Sequence, residues 1–524
     1  MKEKKKDKKN SRSHEEDDIL ILLEDDLDSR LERLPDNSRR GREREEAPVH
    51  KKKKPKSSKR IPTNKEFARI TYLFVGLFLV LMGHIVYFNV VQAKTIINSP
   101  YNLRQDIFAD RVVRGKILDK DGEVLAETKV AEDGAEERSY PHENLFAHVV
   151  GYSAKGKAGL ESVENFNLLT SNAFIVEKVI NEFRGEKNIG DNVVTTLDTE
   201  IQQAAFDALG DNKGAVVVME ASTGKILAMV SKPAYNPNSV AEDWAALNED
   251  EDSSLLNRAT QGKYAPGSTF KIVTALEYIR ENSDYDVYAY DCAGEIEYEG
   301  TVIHCFDSKV HGNEDLKTAF ANSCNASFSE IGLGLDISKY QSTAKDLLFN
   351  SELPSPLMYS GSKFVLTPKD NSAEVMMTAM GQGKTQVSPY HMALVTSAIA
   401  NGGKLMKPYL VDRITNYSGT TVKKNMPEEY AQLMTSREAA QLTEYMTAVV
   451  ESGTAATLRG QSYTAAGKTG TAEYSMDKEK AHSWFVGFTN VDNPELVISV
   501  VLEGAHTTGD IAVGVAKKVF NSYY

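Results

Sequence analysis

One stretch of this chain is apolar without interruption. From Ile70 to Val91 it reads ITYLFVGLFLVLMGHIVYFNVV, 22 residues with no formal charge. As a helix such a run spans about 33 Å, against a hydrocarbon core of about 30 Å. It is long for a secretory signal, a charged segment precedes it, and no clear small-residue cleavage site follows. A single retained transmembrane helix within residues 66–92 is therefore expected. Beyond it the pattern turns amphipathic. RVVRGKILDKDGEVLAE gives two strand-like runs joined by an Asp-Gly turn. VVTTLDTEIQQAAFDALG reads as strand then helix, and GAVVVMEASTGKILAMVS as a hairpin of two buried strands. SWFVGFTN and ELVISVVLEG predict two further antiparallel strands, and IAVGVAKKVFNSYY a closing helix. A sheet with helices packed on it follows, an α+β fold.

Charge divides the same chain differently. The formal net charge is −13, but residues 1–65 hold 21 Lys and Arg against 15 Asp and Glu, and the remainder 40 against 59. A basic tail is thus joined to an acidic body. The tail alternates blocks of opposite charge and is expected to be mostly disordered. Within it, Leu20, Leu23, Leu27, Leu31 and Leu34 recur at spacings of three and four. They suit a short amphipathic helix, either offered to a cytoplasmic partner or without one. KKKKPKSSKR lies just ahead of the apolar run, which puts the N-terminus in the cytoplasm and residues from about 93 onward outside a plasma membrane. The expected division is a tail (1–65), the membrane helix (66–92), a small pedestal (93–192) and a main domain (193–524). Neither repeats nor a nucleotide-binding glycine loop is present, and no nucleic-acid partner is expected.

Candidate chemistry begins at KYAPGSTFKIV, residues 263–273. Pro266 and Gly267 break the preceding chain, and Ile272, Leu276 and Ile279 share a helical face beyond it. Ser268 and Lys271 are then i and i+3 neighbours, the geometry for a hydroxyl nucleophile with an amine to take its proton. Spacing alone decides nothing, because Ser222/Lys225, Ser342/Lys345, Ser360/Lys363 and Ser475/Lys478 repeat it. Ser222 reads as a hairpin residue. Two further segments discriminate: AFANSCNASFSEIG, with Ser323 and Asn325, and AAGKTGTAEY, with Lys468, Thr469, Gly470 and Thr471 in an extended run. In the order Ser-x-x-Lys, Ser-x-Asn, Lys-Thr-Gly these form a trio shared by penicillin-binding proteins and β-lactamases.

The chain resembles a class B penicillin-binding protein, a membrane-anchored peptidoglycan D,D-transpeptidase. RGKILDKDGEVLA, GLESVENFNLLTS, TLDTEIQQAAFDAL, NRATQGKYAPGSTFKI, MGQGKTQVSPYHMALVTSAIANGG and VVESGTA all share in that likeness, which runs from about 110 to 524. The short N-terminal region is closest to the reduced penicillin-binding protein A type and leaves no room for a glycosyltransferase domain. The resemblance implies a penicillin-binding/β-lactamase-like transpeptidase domain on a pedestal with one membrane helix. It makes Ser268 the acylated nucleophile, with Lys271 and Ser323 as the proton-transfer pair. Asn325, Lys468, Thr469, Gly470 and Thr471 would form the substrate cradle. Lys271 would have to be neutral to act, which burial near the Lys468 cation favours. Gly470 would leave room for an extended substrate, and the Ser268 and Thr471 backbone N–H groups would make the oxyanion hole. Peptidoglycan stem peptides and β-lactams are the implied ligands, and a polytopic membrane glycosyltransferase the implied partner. The alternatives are a D,D-carboxypeptidase, a β-lactamase, or a non-catalytic penicillin-binding sensor or scaffold.

No metal or organic cofactor is implied. Cys292 and Cys305 flank AGEIEYEGTVIH, which reads as a hairpin with a Glu-Gly turn, so a bridge and two free thiols are both open. A zinc site is not expected, since the spacings are not those of paired ligands. Cys324, at the middle of Ser-x-Asn, is expected to be a redox-sensitive thiol beside the site.

Overall fold

The computed structural model describes residues 65–88, 110–473, 481–504 and 510–524. The leucine seam and the Ser475/Lys478 pair lie outside them. The apolar run forms a helix, Lys65–Tyr87. Its Phe67–Tyr87 part has a mean hydropathy of 2.1, and none of it is buried. A continuous apolar surface of this length fits a bilayer better than water.

The main sheet has five antiparallel strands: β1 (Gly214–Glu220), β2 (Ile226–Lys232), β3 (Ala465–Glu473), β4 (Ala481–Thr489) and β5 (Leu496–Leu502), in the spatial order β3-β4-β5-β1-β2. Both hairpins expected from the apolar runs are present. β1 and β5 are central and buried on both faces, which is why GAVVVM and LVISVVL lack polar alternation. Against these strands pack helices α1 (Thr199–Leu209), α2 (Pro389–Ala400) and α3 (Asp510–Tyr523). Asp198 starts α1 by accepting the Glu200 and Ile201 N–H groups. All twelve residues of α2 are buried, and its Ser388 cap accepts the His391 N–H. Strand β3, which carries Lys468–Thr471, lies at the sheet edge.

The pedestal is less separate than charge and texture suggested. Ile117–Leu118 and Val124–Val130 form the expected hairpin, with Gly122 at φ +96° in its turn. Ile117–Leu118 also pairs in parallel with Asn192–Thr195, which pairs in turn with Val411–Thr415. A six-stranded sheet is thus built from both sides of residue 193. Beside it, Arg114 Nε and Arg138 Nε donate to the fully buried Glu161 carboxylate at 2.6 and 2.7 Å. Burial alone would raise the Glu161 carboxyl, but the two guanidinium groups hold it below the usual carboxylate range.

Candidate active site

The Pro266-Gly267 break makes a short 3-10 turn, Gly267–Phe270, that runs straight into helix α4 (Lys271–Glu281, between α1 and α2 in the chain). Ser268 sits on that turn, partly exposed, while Lys271 begins the helix fully buried. Gly267 has φ +54°, and a Cβ on it would lie 2.6 Å from the Thr471 carbonyl oxygen. Only glycine allows that approach, and it sets the nucleophile turn against β3. The Gly267 N–H donates to Gly381 O at 2.9 Å, and Trp484 Nε1 to Ala265 O at 3.1 Å.

Ser-x-Asn occupies a tight joint between the helix Leu316–Ala321 and α5 (Asn325–Gly334). Ser323 adopts a left-handed conformation, φ +58°, a strained choice for a serine and typical of sites where geometry matters more than stability. Lys271 Nζ donates to Ser323 O at 2.6 Å and to Asn325 Oδ1 at 2.8 Å, and lies 3.2 Å from Ser323 Oγ. Asn325 Nδ2 donates to His304 O at 3.0 Å. Among the described residues, the Lys271 ammonium is thus committed to Ser323 and Asn325 rather than to the Ser268 hydroxyl, an arrangement common before substrate binds.

Burial pushes the Lys271 amine down to about 8, against the opposing pull of Cys324, Cys305 and Glu314. Lys468 is pushed well below the usual lysine range by burial first and by Lys271 second. The cationic repulsion expected to free Lys271 therefore falls on Lys468, and desolvation does the work at Lys271. Thr469 is held by a 2.6 Å hydroxyl contact to Thr454, a residue within VVESGTA to which no role had been given. Thr471 stays partly exposed on the edge strand. The fold gives Gly470 a reason of its own. A Cβ there would meet Thr269 Cγ2 at 3.0 Å and Pro266 O at 3.1 Å, so its missing side chain lets the nucleophile turn approach. Ser222, by contrast, is exposed in the β1–β2 turn.

These motifs converge in a fold with known counterparts. Residues 214–522 match the model of the penicillin binding protein transpeptidase domain, and residues 114–193 that of the penicillin binding protein A dimerisation domain. The chain belongs to the penicillin-binding protein transpeptidase family. It is similar to the peptidoglycan D,D-transpeptidase PbpA of Mycolicibacterium smegmatis, 31% identical over 469 residues, 84% of this chain and 94% of that one. The Mycobacterium tuberculosis PbpA is 30% identical over 492 residues, 88% of this chain and 99% of that one. The crystal structure of penicillin-binding protein A from M. tuberculosis matches at TM-score 0.72 and 28% identity, covering 78% of this chain and 98% of that one. That protein has also been solved as an imipenem acyl-enzyme complex, which matches at TM-score 0.72 and 28% identity over 79% of this chain and 99% of that one.

This penicillin-binding protein departs from the sequence reading at its cysteines. Cys292, Cys305 and Cys324 are unbridged and buried, so Cys324 is not an accessible thiol. Their spacing in sequence, which is not that of paired ligands, does not describe their spacing in the fold. Their sulfurs and one ring nitrogen of His311 all lie within 4.8 Å of one another. His311 was missed because neither it nor the cysteines form a short ligand pair.

Proposed function

We propose that this protein is a serine-type peptidoglycan D,D-transpeptidase with Ser268 as its acylated nucleophile. The observation that carries the reading is Lys271: fully buried, lowered towards neutrality, and bonded to both Ser323 and Asn325 at the end of the turn that presents Ser268. Ser268 Oγ attacks the D-Ala-D-Ala carbonyl of a stem peptide, its proton passing to Lys271. The Lys271–Ser323 pair returns that proton to the departing D-Ala amine, and the acyl-enzyme forms. The amine of a second stem peptide then attacks the ester, cross-linking the strands and restoring Ser268. Asn325, Lys468, Thr469 and Thr471 hold the donor peptide along the β3 edge, while Gly470 admits the nucleophile turn. β-Lactams acylate the same serine, as the acyl-enzyme complexes of the M. tuberculosis relative support. The helix Lys65–Tyr87 anchors the chain in the plasma membrane, the basic tail lies in the cytoplasm, and a polytopic membrane glycosyltransferase supplies the glycan strands.

Labelling of the full chain by a fluorescent penicillin tests this. Label should survive Ser222→Ala and vanish in Ser268→Ala. A folded wild-type protein that takes no label would favour a non-catalytic sensor or scaffold. Release of D-Ala without cross-linking, in the presence of an amine acceptor, would mark a D,D-carboxypeptidase.

A further inference from the structure

Behind the Ser323–Asn325 joint the chain makes an excursion that the transpeptidase chemistry does not use. Tyr290–Cys292 pairs antiparallel with Gly312–Glu314, Gly312 opposite Cys292. Between them stands the hairpin Glu295–Tyr298/Thr301–His304. Cys292 closes the first strand, Cys305 follows the hairpin, His311 precedes the return strand, and Cys324 caps α5. Four donors from four segments therefore meet at one point, in the pattern C-x12-C-x5-H-x12-C.

Their separations are informative. Cys292 Sγ lies 3.6 Å from Cys305 Sγ and 3.4 Å from His311 Nδ1, and Cys305 Sγ lies 3.7 Å from Cys324 Sγ. Zinc held tetrahedrally at about 2.3 Å from sulfur and about 2.0–2.1 Å from nitrogen sets sulfurs about 3.8 Å apart and sulfur about 3.6 Å from nitrogen. A disulfide would bring two of the sulfurs to about 2.05 Å and leave the third without a partner. The Gly294 and Ser327 N–H groups point at Cys292 Sγ and Cys324 Sγ, each at 3.4 Å, as donors that stabilise thiolates. The three cysteines are buried, as suits a closed structural site with no position left for a reacting ligand.

We propose that Cys292, Cys305, His311 and Cys324 bind one zinc ion, which staples the 290–314 excursion to the Ser-x-Asn joint. The three thiols release their protons to solvent on binding, and His311 binds as neutral imidazole. Three thiolates on a divalent ion leave a single net negative charge beside Lys271, which bonds to the residues on either side of Cys324. Three sulfurs and one imidazole in a tetrahedron select zinc over harder cations such as magnesium or calcium.

The test uses the full chain, purified in detergent without chelators, with zinc measured by plasma mass spectrometry. One zinc per chain is expected, with an X-ray absorption edge fitted by three sulfurs and one nitrogen. His311→Ala should weaken zinc binding by at least the roughly 10- to 100-fold that losing an outer-shell partner costs. If that variant fails to fold, the absorption spectrum of the wild-type protein still decides. Well-folded protein without zinc would overturn the proposal. So would a chain lighter by two hydrogen atoms, with a Cys292–Cys305 disulfide in its peptide map, or zinc that His311→Ala leaves untouched.

Discussion

The sharpest consequence of the site is a pH profile. If Lys271 takes the Ser268 proton, acylation needs it as the free amine. Burial sets its midpoint at about 8. Such an amine is about one-tenth free base at pH 7 and about nine-tenths at pH 9, a tenfold gain. A lysine at the ordinary value of about 10.4 would gain nearly a hundredfold over the same interval and keep rising. The sign follows directly: lowering pH below about 8 protonates the base and slows acylation, and raising it above about 8 adds little. The assay is the second-order rate of acylation by a fluorescent penicillin, from pH 6.5 to 9.5, with heat-denatured protein as the blank. The plot of log rate against pH should rise with unit slope and bend near 8. Lys271→Arg keeps a cation that cannot give up its proton, and should cost the about 10²- to 10⁴-fold typical of losing a general base. A profile that climbs unbent to pH 9.5, or an Arg variant as fast as the parent, would refute Lys271 as the base.

Other perturbations probe the packing. Glu161→Gln leaves two buried guanidinium groups without their carboxylate and should destabilise the protein by about 3–5 kcal/mol, read as a lower Tm. A loss under about 1 kcal/mol would mean that the pedestal does not depend on that triad. Gly470→Ala crowds Thr269 and Pro266 and should cost about 1–3 kcal/mol while slowing penicillin acylation. Gly514→Ala, where a Cβ meets nothing within 4 Å, is the control that should leave acylation unchanged. Equal acylation rates in the two variants would separate Gly470 from the nucleophile turn.

How much of this could be read in advance depended on the range of the interaction involved. Strand and hairpin texture was legible wherever pairing is local, as in GAVVVMEASTGKILAMVS, because alternating or continuous apolar runs fix which residues must be buried. The same holds for the 22-residue apolar run, whose length alone matches a bilayer. Family likeness, rather than spacing, singled out Ser268 from the four other Ser-x-x-Lys pairs. Once the fold was known, the exposure of Ser222 in its turn supplied a physical reason. By itself, then, the sequence determined the elements, the order of the three motifs and the long apolar helix.

Tertiary packing decided the rest. Ile117–Leu118 pairs in parallel with Asn192–Thr195, which pairs antiparallel with Val411–Thr415 more than 200 residues further on, so no local pattern announces either contact. Lys271 reaches Asn325 across 54 residues because a helix start and a left-handed serine face each other in the core. Desolvation there, not the Lys468 cation, lowers its affinity for a proton. Gly470 is required by the neighbouring turn, a contact visible only once β3 lies against it. His311 joins three cysteines for the same reason. A donor set is defined by distances in space, and a strand pair, a hairpin and a helix cap were needed to bring twelve-residue spacings within 4.8 Å.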